Sequence, residues 1–185
     1  KTGAPQVPAL PANVALHKAK DIQGVWLAPG FNFKGYDALS IGETAFQAVE
    51  RSNEVKELAA AQGAVQSQLA ETIGATKLFP TVTTKELPAG TRGLKLANTI
   101  IEYEKGGGAA RYFAGLFGAG QPVIKVRGEF FDGETLVCVY EIKRSGESGS
   151  ARMFGAFMDD LGIQANDIRA LAVDLADFVK RTAAQ

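Results

Sequence analysis

Arg111 and Tyr112 are the residues whose setting most invites a chemical role. They sit inside "GGGAARYFAGLFGAG", residues 106–120, where a cation and a phenol open an apolar run bounded by glycines. Three chemistries suit glycine-rich chain of this kind: cradling a phosphate, packing helices in a membrane, or making a tight structural joint. Gly115 and Gly120 have the spacing of the first half of a phosphate-binding loop. Gln121 and Pro122 then stand where that loop needs a lysine and a hydroxyl. The glycines also follow a helix-like stretch instead of opening one, which argues against a dinucleotide loop. Ala110, Ala114 and Gly118 make a small-residue ridge, but the apolar run from Tyr112 to Ala119 is too short to cross a bilayer.

The joint is the reading with least strain. Gly107 and Gly108 permit a sharp exit from a strand, and the small ridge packs a helix closely. Gly115, Gly118 and Gly120 complete the motif, and the last two let the chain reverse into the next strand. A cation near a helix start is unfavourable to the dipole. Arg111 therefore calls for a carboxylate or carbonyl partner, within the domain or on another chain.

Other candidates for chemistry are sparse. His17 is the single histidine, which excludes most Ser-His and Cys-His machinery. Cys138 is the single cysteine; it excludes an internal disulfide and a thiolate zinc cluster, and reads as a core thiol. Asp159-Asp160 and Glu102/Glu104 are carboxylate pairs without a supporting constellation, read as solvated. No metal site and no cofactor is expected. Twenty basic residues balance twenty acidic ones, so the footprint of a nucleic-acid-binding protein is missing. No stretch is long and apolar enough for a transmembrane helix.

The elements that must position these residues follow from periodicity. Residues 1–20 carry Pro5, Pro8 and Pro11 and read as an extended tether that includes His17; residues 21–185 form one globular domain. Val25–Ala28 suits a buried strand, residues 31–52 are mixed, and a helix starts near Asn53 with Val55, Leu58, Val65, Leu69 and Ile73 on one face, ending at Gly74. "KLFPTVTT" reads as an edge strand. "RGLKLANTIIEYEK" reads as a strand with a change of face near Asn98. "PVIKVRGEFFDGETLVCVYEI" is a hairpin turning at Asp132 and Gly133; a loop of Phe131 to Gly133 would set Val126 opposite Cys138. Two helices close the chain, one ending at Gly162 and one capped by Asn166. The order β-α-β-β-α-β-β-α-α predicts an α/β domain of the α+β type, with helices packed on a mixed, mainly antiparallel sheet.

The stretch from Gly107 to about Ile142 resembles the domain-of-unknown-function 4410 family: an arginine followed by Gly115, Gly118 and Gly120, then a strand, an Asp-Gly turn and another strand. The resemblance implies an exported protein of the bacterial envelope, periplasmic or tethered to the outer membrane, as many members look like lipoproteins. The chain begins at Lys1, so a lipid-bearing cysteine is expected to have been lost with the leader. The proline-rich start suits its tether. The family brings no known catalytic residues. The expected function is a non-enzymatic adaptor or assembly subunit that binds another envelope protein or itself. A small-molecule or glycan-binding domain with a pocket near Arg111 and Tyr112 is the alternative, and a carboxylate-dependent hydrolase the third.

Overall fold

The computed structural model describes residues 15–47, 55–104, 122–146 and 160–185. The whole glycine-rich motif, from Gly107 to Gly120 with Arg111 and Tyr112, lies outside these residues, as does the helix read from Phe154 onward up to Asp159. In chain order the elements are β1 (His17–Ala19), β2 (Ile22–Leu27), β3 (Ala38–Ile41), β4 (Ala45–Phe46), α1 (Val55–Ala75), β5 (Thr81–Thr83), β6 (Gly93–Glu104), β7 (Val123–Asp132), β8 (Thr135–Arg144) and α2 (Asp160–Ala183). The strands form one sheet in the order β1-β2-β8-β7-β6-β3-β5, with β4 pairing β6 beside that path. Pairs on the β1 side are antiparallel, whereas β3 runs parallel to β5 and β6. The expected α+β domain with a mixed, mainly antiparallel sheet is the observed one.

Strand parity decides which side chains meet the helices. Leu94, Leu96 and Ile100 of β6, Ile124, Val126 and Phe130 of β7, and Cys138, Tyr140 and Ile142 of β8 are buried in one core. Into it α1 sends Leu58, Val65, Leu69 and Ile73, and α2 sends Ile168, Leu171, Leu175 and Val179. Residues at three- and four-residue steps put both apolar stripes on this face. Phe33, in the β2–β3 connection, ties the layers together, with its ring 5.0 Å from Phe130 and 6.2 Å from Phe178. Two glutamines of α1 serve the carbonyls at the ends of β3 and β4: Gln62 Nε2 donates to Thr44 O (2.6 Å) and Gln66 Nε2 to Ile41 O (3.1 Å).

One cross-strand row of the core is polar. Asn98, Gly128 and Tyr140 are successive partners on β6, β7 and β8. The Tyr140 ring lies across Gly128, where an added Cβ would fall 2.1 Å from its Cε1. Its hydroxyl donates to Asn98 Oδ1 at 2.5 Å. Glycine here makes room for an aromatic side chain that spans a whole strand.

The structure corrects several expectations. The sheet begins inside the stretch read as a tether, because His17–Ala19 pairs with β2. β3 and β4 emerge from the region read as mixed; all four residues of β3 are buried, so no alternation marks it. α1 continues through Gly74 to Ala75, and Lys77 takes the left-handed conformation (φ 58°) that closes its end. In β6 the change of face is a bulge between Ile100 and Glu102, and Asn98 stays on the core face. The hairpin loop is Gly133-Glu134, with Asp132 pairing Thr135 as the last strand residue. A bulge at Phe130/Phe131 shifts the register, so that Phe130 faces Cys138 and Val126 faces Ile142. Gly133 does take a left-handed φ of 59°, at the first loop position, where a type II′ turn takes glycine. Over its described length the C-terminal helix is one element that runs through Gly162 and Asn166.

Candidate functional site

Among the described residues, two places on the sheet concentrate charge. The first is the face opposite the helices, where β6, β7 and β8 present the side chains between their core residues. Thr99, Arg127 and Glu141 form one cross-strand row there, and Glu102, Lys125 and Lys143 form another. The signs interlock. Arg127 Nε donates to Glu129 Oε1 (3.1 Å), and its Nη1 lies 3.9 Å from Glu141. Lys125 pairs with Glu141 at 2.6 Å, and Lys143 reaches past β7 to Glu102 at 2.7 Å. Three acids and three bases thus make a neutral lattice.

Exposure rises along this lattice. The side chains are 13% and 6% exposed for Arg127 and Glu129, 27% and 18% for Lys125 and Glu141, and 41% and 37% for Lys143 and Glu102. Burial pushes the Glu129 carboxyl above the ordinary carboxylate range, and the Arg127 guanidinium only partly restores it. At the exposed end, ion pairs of this kind are worth about 0–1 kcal/mol to the fold. Those side chains are therefore free to exchange partners at little cost.

The second place is a cleft of about 420 Å³ between the β5–β6 connection and the tip of the β7–β8 hairpin. The connection is held over the sheet by the Ser40 hydroxyl, which donates to Lys85 O at 2.8 Å. Leu87 covers Gly93, where a Cβ would come within 2.2 Å of its Cδ1. At the mouth, the Tyr36 hydroxyl donates to Asp132 Oδ2 at 2.8 Å, and the Arg92 guanidinium stacks 5.4 Å from the Tyr36 ring centroid. Burial, then the Asp132 carboxylate, pushes the Tyr36 phenol up to about 12 against the opposing pull of Arg92.

Of the sequence's candidates that fall among the described residues, Asp132 and Gly133 line this cleft and Glu102 belongs to the lattice. His17 is exposed on β1. Cys138 is fully buried, and burial drives its thiol far toward the neutral form. Glu102 is paired with Lys143 and is not simply solvated, while Glu104 is exposed at the end of β6. Among the described residues, no group of three or more histidine, cysteine or acidic side chains is placed to hold a metal ion. Sequence reasoning does not reach Tyr36 or Arg92, nor any lattice residue but Glu102. The only local signal for the lattice is the alternation of charge with apolar residues in β7 and β8.

Among the described residues the fold is an α+β domain, with two helices packed on an eight-stranded sheet and an ion-pair lattice on the sheet's other face. The chain belongs to the family described as domain of unknown function (DUF4410), whose model matches residues 30–164. None of the curated proteins matches it. It is similar to the PelC dodecamer from Paraburkholderia phytofirmans, with 15% identity over 82% of this chain and 94% of that one, at a TM-score of 0.49. It is also similar to a Xanthomonas campestris protein carrying the DUF330 family model, with 9% identity over 86% and 92% of the two chains and a TM-score of 0.47. Among the described residues, no helix is long and apolar enough to cross a membrane.

Proposed function

We propose that this chain is a non-enzymatic assembly domain of the bacterial envelope, facing the periplasm, that associates with a second copy of itself through the exposed end of the ion-pair lattice. The observation that carries this reading is the alternation of sign among Glu102, Lys125, Glu141 and Lys143, all partly exposed on one sheet face. A neutral, alternating pattern is complementary to a copy of itself turned through a two-fold axis. It offers no field of one sign to recruit a polyanion or an anionic lipid surface. The envelope location is supported by the three prolines ahead of the sheet, which suit a spacer between the domain and an attachment point.

Sedimentation velocity over a range of protein concentrations tests the assembly. The expected result is a dimer or larger species whose fraction grows with concentration. That fraction should shrink as salt rises from about 0.01 M to 1 M and the Debye length falls from about 30 to 3 Å. A monomer under all conditions overturns self-association, and capture of a different envelope protein on the same face would make the domain an adaptor. Fractionation of cells producing the full natural protein tests the location, with recovery in the cytoplasm as the contrary result.

A further inference from the structure

We infer that the cleft between the β5–β6 connection and the β7–β8 hairpin tip binds a small hydroxylated carboxylate of about monosaccharide size. This stands apart from the assembly reading and holds whether or not the chain self-associates. The cleft has the volume of a small-molecule site, about 420 Å³. Its lining is bipolar: Arg92 and Lys95 supply two exposed cations, Glu86 and Asp132 two carboxylates. Neither cation has an ion-pair partner among the described residues.

Arg92 is also held in place. Its guanidinium rests on the Tyr36 ring, and that ring is anchored through its hydroxyl to Asp132. Its own backbone carbonyl accepts from Asp37 N–H at 2.8 Å. A stacked guanidinium keeps its planar fork available for a carboxylate, and less freedom is lost when the ligand binds. Lys95 adds a second, adjustable charge on the same wall.

The acids set the rest of the ligand. Glu86 and Asp132 repel a second anionic group, so a dianion such as a phosphorylated sugar is disfavoured. As acceptors they suit hydroxyl groups, and the Thr91 hydroxyl adds a group that both donates and accepts. Gly133 (φ 59°) lines the cleft and presents its backbone there without a side chain in the way. One carboxylate with several hydroxyls is the chemistry that satisfies both sides.

The test is a titration of the isotope-labelled protein with D-glucuronate, followed by amide chemical shifts, beside D-glucose, which has the same ring but no carboxylate. Glucuronate is expected to give saturable shifts at Arg92, Lys95 and Gly133, with affinity at least about tenfold above glucose. Arg92→Gln is expected to lower glucuronate affinity at least about fivefold while the thermal midpoint falls by no more than about 4 °C. Lys95→Gln gives an independent variant with the same expected direction. Equal affinity for the two sugars, shifts confined to residues away from the cleft, no saturable shift, or full binding by both variants would overturn the inference. Self-association is read separately in the same samples from the rotational correlation time, so failure of one proposal is distinguishable from failure of the other.

Discussion

Gly128→Ala isolates the polar row that organises the centre of the sheet. The new methyl carbon would lie 2.1 Å from Tyr140 Cε1, 2.3 Å from Cζ and 2.5 Å from the hydroxyl oxygen, so the ring must leave its place. Displacing it breaks the Tyr140–Asn98 hydrogen bond and leaves Asn98 Oδ1 without its donor in a residue 1% exposed. An orphaned buried acceptor costs about 1–3 kcal/mol, and forcing a core side chain aside about 1–3 kcal/mol more. Replacing glycine by alanine in a strand returns roughly 0.5–1 kcal/mol of backbone entropy. The expected net loss is about 3 kcal/mol, roughly 6–12 °C in Tm for a domain of this size. Urea denaturation followed by circular dichroism measures it. Tyr140→Leu supplies the control: once the ring is gone, the same methyl should cost much less, so the double variant falls short of the sum. A loss below about 1 kcal/mol for Gly128→Ala, or strict additivity with Tyr140→Leu, would refute the reasoning.

Three further outcomes follow from buried or paired titratable groups. The native Glu129 carboxyl lies above its ordinary value of 4.5 because burial outweighs Arg127. The folded state therefore binds the extra proton, and this contribution to stability is complete below the unfolded value and lost as pH rises through the folded one. Glu129→Gln should flatten that decline in a series of urea midpoints, and an unchanged slope would contradict it. The Cys138 thiol, buried and held neutral, should resist an aromatic disulfide reagent in the native protein and react fully once unfolded; fast native reaction would contradict the packing. Tyr36 should ionise near 12 in a 295 nm titration read against Tyr36→Phe, and Asp132→Asn should bring it down toward 10, since Asp132 supplies two of the three upward influences. An unmoved Tyr36 would show that the hydrogen bond is not made in solution.

Much of the fold is legible because alternation and helical period report which side is buried. The β7–β8 hairpin is readable from Ile124, Val126, Cys138 and Tyr140, yet its register is not. The expected and observed pairings both match even-numbered residues with even-numbered ones, so alternation cannot separate them. The bulge at Phe130/Phe131 decides the matter. β3 escapes because burial of Ala38, Leu39, Ser40 and Ile41 removes any alternation, with Ser40 satisfied by a carbonyl 45 residues away. Gly162 and Asn166 read as a break between helices, but a mid-helix glycine costs only about 1 kcal/mol, less than the burial of Ile168, Leu171 and Leu175 provides. The cleft is illegible for a different reason. Tyr36 and Asp132 are 96 residues apart and meet only through strand order; in the sequence Asp132-Gly133 marks a turn and nothing more.

The central claim is that the exposed end of the lattice joins one copy to another. Complementation of two charge variants by sedimentation velocity tests it most directly. One variant carries Lys125→Glu and Lys143→Glu, which makes the exposed end of the lattice acidic; the other carries Glu102→Lys and Glu141→Lys, which makes it basic. Each should be monomeric alone, and their mixture should form a heterodimer that high salt dissolves. Variants that each still self-associate as the natural chain does, or a mixture that stays monomeric where the natural chain assembles, would contradict the account.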